Sequence, residues 1–199
     1  MNNGAIMTTP RTSIIGLGNV LMGDDGLGPM AVEVFRSEYE CSPEVEILDL
    51  GTPGWDLAVY LYGRDYVVIV DAVHADGPPG TVHTYCEADV VGRQVQLQLT
   101  AHDPGLQACL AQLRLEGRAP AEVTIVGAIP ESCEFGKGIS PKAVSAAFVA
   151  AGHIARSLLQ RHVSCRRRHA QIEADLWWLS GLRLSAGQLE ERAAGDRKG

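Results

Sequence analysis

The side chains in this sequence best suited to chemistry are two carboxylates and one imidazole, at Asp25, Asp71 and His102. Asp25 belongs to the polar cluster Gly23-Asp24-Asp25-Gly26, and Asp71 stands where the run Tyr66-Val67-Val68-Ile69-Val70 stops. His102 comes just before Asp103-Pro104, an opening that suits a helix. Two carboxylates and a ring nitrogen form a borderline-hard donor set for a divalent ion such as nickel, zinc or manganese, with coordination positions left open. An ion held in this way polarises a carbonyl or acidifies a water, which is the chemistry of metal-assisted hydrolysis. Asp24 or Asp49 could then serve as general base. Each also has a plain structural use, Asp24 as a helix cap and Asp49 as a turn former at a strand end. His74 is a rival ligand, whereas His83, His153, His162 and His169 read as surface or packing residues. With six histidines and 24 acids, such a trio is easy to assemble by chance and gains weight only from its setting.

Other catalytic routes find no support. The chain has no Gly-x-Ser-x-Gly elbow, no His-Glu-x-x-His helix and no hallmark of a papain-type cysteine. Its five cysteines are an odd number, none in a Cys-x-x-Cys pair, and read as buried or idle thiols. Gly16-Leu17-Gly18 after a strand invites a dinucleotide reading, which predicts a nicotinamide or flavin retained on purification. That fingerprint fails at its third glycine, where Leu21 stands, and Asp24 and Asp25 would repel a phosphate.

The elements that must position these residues follow from the hydrophobic pattern. Thr12 to Leu17 reads as a buried strand entering a turn, and Leu27, Met30, Ala31, Val34 and Phe35 form the stripe of an amphipathic helix. Val45 to Leu50 is a second strand, Trp55 to Leu61 a short helix, and Tyr66 to Val70 a third strand buried on both faces. Thr81 to Cys86 alternates as an antiparallel edge strand. A helix from Asp103-Pro104 carries Leu106, Cys109, Leu110 and Leu113 and ends at Gly117. Val123 to Ile129 is the last strand, and Ser140-Pro141 caps a helix running to about Gln160. The whole is an α/β fold: a doubly wound, mostly parallel twisted sheet of about five strands, with helices on both faces and one antiparallel edge strand. With the first strand between the second and third, Asp24, Asp25 and Asp71 open onto the crevice between the first and third strands, at their carboxyl ends.

Residues 1–162 make this domain. Residues 163–199 form a C-terminal extension, helical or mobile, with the basic run Arg166-Arg167-Arg168-His169 and the apolar residues Leu176, Trp177, Trp178, Leu179, Leu182 and Leu184. The formal net charge is −7, with residues 162–199 at +2 and the remainder at −9. This balance argues against nucleic acid as a partner, and an acidic body suits a basic peptide or a cation as well as simple solubility. The first dozen residues lack the apolar core of a secretory signal, and no stretch is long and apolar enough for membrane insertion, so a cytoplasmic location is expected. Oligomeric state is not legible.

Gly16-Leu17-Gly18-Asn19-Val20-Leu21-Met22-Gly23-Asp24-Asp25-Gly26-Leu27-Gly28 resembles the opening of the hydrogenase maturation proteases, nickel-dependent endopeptidases of hydrogenase large subunits. Asp49-Leu50-Gly51-Thr52 is similar to that family's Asp-Gly-Gly-Thr segment, with Leu50 in place of a glycine. Val70-Asp71-Ala72 resembles its second acidic site, Thr100-Ala101-His102 its histidine before a helix, and Gly127 to Ser132 the segment closing its last strand. The matches fall in order over roughly residues 12–160, and the extension has no counterpart among them. The resemblance implies that Asp25, Asp71 and His102 contact the metal. It also implies that the partner is a hydrogenase large-subunit precursor whose C-terminal extension is removed, and that nickel arrives already bound to that precursor. The competing reading is a non-enzymatic nickel-binding or sensing module built on the same three side chains, which would leave its partner's length unchanged.

Overall fold

The computed structural model describes residues 11–91, 96–97, 105–170 and 172–179. Within them the chain folds as the strands β1 (Thr12–Leu17), β2 (Tyr39–Cys41), β3 (Val45–Gly51), β4 (Tyr66–His74), β5 (Val82–Cys86), β6 (Gln96–Leu97), β7 (Glu122–Ala128) and β8 (Cys165–Arg167). The α-helices are α1 (Leu27–Glu38), α2 (Leu57–Leu61), α3 (Glu87–Val91), α4 (Leu106–Leu115) and α5 (Pro141–Gln160). None of them is long and apolar enough to cross a membrane.

The main sheet runs in the order β3-β1-β4-β7-β5, parallel except for β5 at one edge, and the short β6 adds antiparallel to the end of β4. The β-branched run of β4 explains its central place. Val68 and Val70 point into the layer formed with Met30 and Phe35 of α1 and Ala147 and Ile154 of α5. Val67 and Ile69 point the other way, against Leu57 and Leu61 of α2 and Leu106, Leu110 and Leu113 of α4. A strand whose successive residues enter two different cores has no polar face to show, which is why the run reads as continuously apolar. In α5 the stripe Ala143, Ala146, Ala147, Ala150 and Ala151 is buried, and these small side chains let it lie close on the layer below. Its start is as expected: the Ser140 side chain accepts from the Ala143 amide at 3.2 Å, and Pro141 occupies the first turn.

One element differs from the expectation, and the start of another is not described. β4 does not stop at Asp71 but continues to His74, because β7 pairs through Asp71↔Gly127 and Ala72↔Ala128 and β6 pairs with Val73 and His74. A carboxylate does not end a strand whose neighbours go on supplying hydrogen bonds. The opening of α4 at Asp103-Pro104 lies outside the described residues, with the helix described from Leu106 and Gly117 following its end in a left-handed conformation (φ 68°).

The described part of the C-terminal extension is a strand followed by a docked turn. β8 pairs antiparallel with β2, setting Cys165 opposite Cys41, Arg166 opposite Glu40 and Arg167 opposite Tyr39. The charges agree with that register: Arg166 bonds Glu40 at 2.9 Å, and the Arg168 amide donates to the Glu38 carbonyl at 2.7 Å. Further on, Ala174 and Leu176 are buried in the α1–α5 layer, with Trp178 and Leu179 packed against it. Residues 180–199, with Leu182 and Leu184, lie outside the described residues.

Candidate active site

The glycines of the first loop set the geometry of the acids. A Cβ on Gly28 would collide with the carbonyl oxygens of Leu17 and Val70, so the start of α1 rests directly on the ends of β1 and β4. A Cβ on Gly18 (φ 129°) would run into the Asp25 carbonyl oxygen. The glycine pattern that invites a dinucleotide reading therefore serves close approach of loop to strand. It seats the 3₁₀ turn Gly23–Gly26 above the point where α1 leaves for one face and the β4 connection for the other.

Asp25 sits in that turn, buried, with the Asn19 amide donating to Oδ2 at 2.7 Å. Its Oδ1 is buried and has no hydrogen-bond partner among the described residues. Asp71, inside β4, is buried with both oxygens in the same condition. Burial raises the pKa of Asp25, the Asn19 amide opposing this in part. Burial, with the Asp25 charge as the second cause, holds Asp71 well above the usual carboxylate range. Three buried carboxylate oxygens without hydrogen-bond partners among the described residues are costly, and a polar group in this condition calls for a proton or a cation. The pair therefore fits a divalent ion, which would be held by Asp25 and Asp71. His102, the third expected ligand, lies outside the described residues together with Thr100, Ala101, Asp103 and Pro104. Among the described residues no three His, Cys, Asp or Glu side chains converge on one point.

The two candidates for general base are placed differently. Asp24 is buried and accepts three hydrogen bonds, from the Glu131 amide at 2.8 Å, the Ser140 amide at 2.7 Å and the Ser140 hydroxyl at 2.9 Å. It ties the first loop to the segment that leads into α5, which is a structural duty. Asp49 takes the Gly51 amide on Oδ1 at 3.0 Å and also opens onto a cavity of about 290 Å³ between the β1 and β3 loops. That cavity is lined by Gly18, Asn19, Asp49, Thr52 and Trp177, among others. The histidines outside the crevice are accounted for: His74 is exposed at the end of β4, and His153 bonds the Thr84 hydroxyl at 2.9 Å. Two nearby residues have no precedent in the sequence reading. The half-buried Cys133 thiol is pushed up to about 11 by burial and by the charges of Asp25, Asp24 and Asp71. Its place directly after the Gly127–Ser132 segment was the one available signal. Trp177 reaches the cavity from the extension, and nothing in local sequence points there.

Fold and site together define a doubly wound α/β protein with a buried acid pair at its switch point. Comparison with known proteins makes the class specific. Residues 29–157 match the family model for hydrogenase maturation protease, beginning just after the loop that carries Asp25. The chain is 36% identical over 132 residues to the hydrogenase 2 maturation protease of Escherichia coli, covering 66% of this chain and 80% of that one. It is 30% identical over 189 residues to the hydrogenase expression/formation protein HupM of Azotobacter chroococcum, covering 94% and 88%. For several other curated relatives the matched stretch spans less than two thirds of their length. The solved structure of the E. coli hydrogenase maturating endopeptidase HybD superposes with a TM-score of 0.72 at 32% identity, over 79% of this chain and 98% of that one. The chain belongs to the hydrogenase maturation protease family, and it is a peptidase. The non-enzymatic nickel module and the dinucleotide protein are not favoured.

Proposed function

We propose that this peptidase removes the C-terminal extension of a hydrogenase large-subunit precursor, and that the nickel it responds to arrives bound to that precursor. The observation that carries the reading is the acid pair: Asp25, in the turn after β1, and Asp71, in β4 just past its last pairing with β1, present three buried oxygens without hydrogen-bond partners among the described residues. These oxygens and the His102 ring nitrogen would complete the coordination of an ion delivered with the substrate, so that cleavage becomes a check on metal insertion. Bound there, the ion supplies Lewis acidity toward the scissile carbonyl or toward a water. Of the two carboxylates considered as general base, Asp24 is engaged by three donors and Asp49 faces the neighbouring cavity between the β1 and β3 loops, so neither is assigned that role. The family resemblance supports a cytoplasmic location for this step.

The test is intact-mass spectrometry of the precursor after incubation with the peptidase, in nickel-loaded and nickel-free forms. Loss of a defined C-terminal peptide from the loaded form alone is the expected result. No mass change in either form, with a precursor shown to be competent, would overturn it.

A further inference from the structure

The cavity between the β1 and β3 loops has one wall that does not come from the shared fold. Gly18, Asn19 and Val20 follow β1, Asp49, Gly51 and Thr52 belong to β3 and its loop, and Trp177 closes the space from the C-terminal extension. The HybD structure is almost wholly matched by 79% of this chain, whereas the HupM relative is matched over 94% of it, a stretch long enough to run into the extension. The neighbours of Trp177 explain how its position is held. Ala174 and Leu176 are each about 1% exposed in the core, and Trp178 packs inward. Trp177 itself is 68% exposed and stands edge-to-face on Trp178 at 5.7 Å between ring centres. An indole kept in solvent by a buried flank on each side has its ring available to a partner.

We infer that Trp177 is a specificity-determining residue: with Asp49 it forms a subsite for one cationic side chain, Lys or Arg, of the peptide being processed. The inference rests on the endopeptidase reading above. Three observations support it. The cavity is lined by Gly18 and Asn19, and the Asn19 amide donates to Asp25, so it adjoins the loop that holds the acid site. At about 290 Å³ it lies at the small end of ligand cavities, a size for one side chain. Its lining pairs an apolar and aromatic surface (Val20, Pro29, Trp177) with a carboxylate (Asp49), which matches an aliphatic stem ending in a positive head. The cavity lies at β1 and β3, while Asp71 is on β4. Neighbouring strands are about 4.8 Å apart and an extended peptide advances about 3.3 Å per residue, so the recognised residue is one or two positions from the scissile bond.

The experiment compares full-length wild type with Trp177→Ala and Trp177→Phe. Calorimetry measures binding of a synthetic peptide spanning the processing site of the large-subunit precursor, and of the same peptide with each flanking Lys or Arg changed to Ala. Cleavage is followed separately by intact mass. Trp177→Ala should weaken binding of the parent peptide about threefold to tenfold and abolish the preference for the cationic residue, while Trp177→Phe recovers most of both. Equal affinity and equal preference in wild type and Trp177→Ala would overturn the inference, whatever cleavage shows. Binding that depends on Trp177 in a protein that cleaves no precursor would refute the endopeptidase reading and leave the subsite standing.

Discussion

Asp71→Asn offers the most direct test of the acid pair, because it removes a charge at nearly constant shape from a site with no donors among the described residues. The sign follows from linkage. An unfolded aspartate titrates near about 3.9, while burial and the Asp25 charge hold folded Asp71 well above its ordinary value. Below the unfolded value both states carry the proton, and the residue contributes no pH dependence. Between the two values the unfolded chain has released its proton and the folded one has not. Stability therefore falls as pH rises, by about 1.4 kcal/mol for each pH unit, and levels off above the folded value. Asparagine does not titrate. The stability of Asp71→Asn relative to wild type should accordingly climb with that slope from about pH 4.5 toward neutrality. The assay is urea unfolding followed by tryptophan fluorescence, in chelator, at a series of pH values. Added nickel ion should then stabilise wild type, by about 2.7 kcal/mol at a hundredfold excess over its dissociation constant, and leave the variant unmoved. A stability difference that does not change with pH would refute the account of the buried pair.

His102→Ala should abolish processing of the precursor while leaving the urea midpoint unchanged; full processing by a folded variant would remove it from the site. Asp49→Asn should weaken binding of the precursor peptide about threefold to tenfold and reduce its preference for the cationic residue, read by calorimetry with cleavage followed separately by intact mass. Asp24→Ala withdraws the acceptor of three hydrogen bonds and leaves buried donors behind, so a loss of about 3 kcal/mol or more in chemical denaturation is expected. Leu176→Ala, which hollows the contact of the extension with α1, should cost about 2–5 kcal/mol in the same measurement. A value near zero there would mean that the extension is not part of the cooperative unit.

What the sequence made legible was whatever depends on short-range pattern. Tyr66 to Val70 announces a central strand because each residue meets a hydrophobic layer, and Ser140-Pro141 announces a helix because the cap needs only the next turn. The place of the first strand between the second and third followed the usual order of a doubly wound sheet. What could not be read depends on distant partners. Asp24 looks like a cap for the adjacent helix, yet its donors stand 107 and 116 positions away. β2 and β8 have three residues each, too few for any periodicity, and gain their identity from one another. Trp177 shares its local sequence with Trp178, and only the packed fold turns one outward and the other in.

The Asp24 clamp also has a consequence for the order in which the molecule comes into being. The acids belong to the first part of the chain, and the strands of the main sheet are all made before residue 129. Yet two of the three hydrogen bonds that hold Asp24 come only with Ser140, at the start of α5. A nascent chain halted before that serine could pair its strands but would carry an acid loop held by fewer bonds. On the ribosome, then, cutting competence comes after the sheet is complete, and an unfinished peptidase is an inactive one.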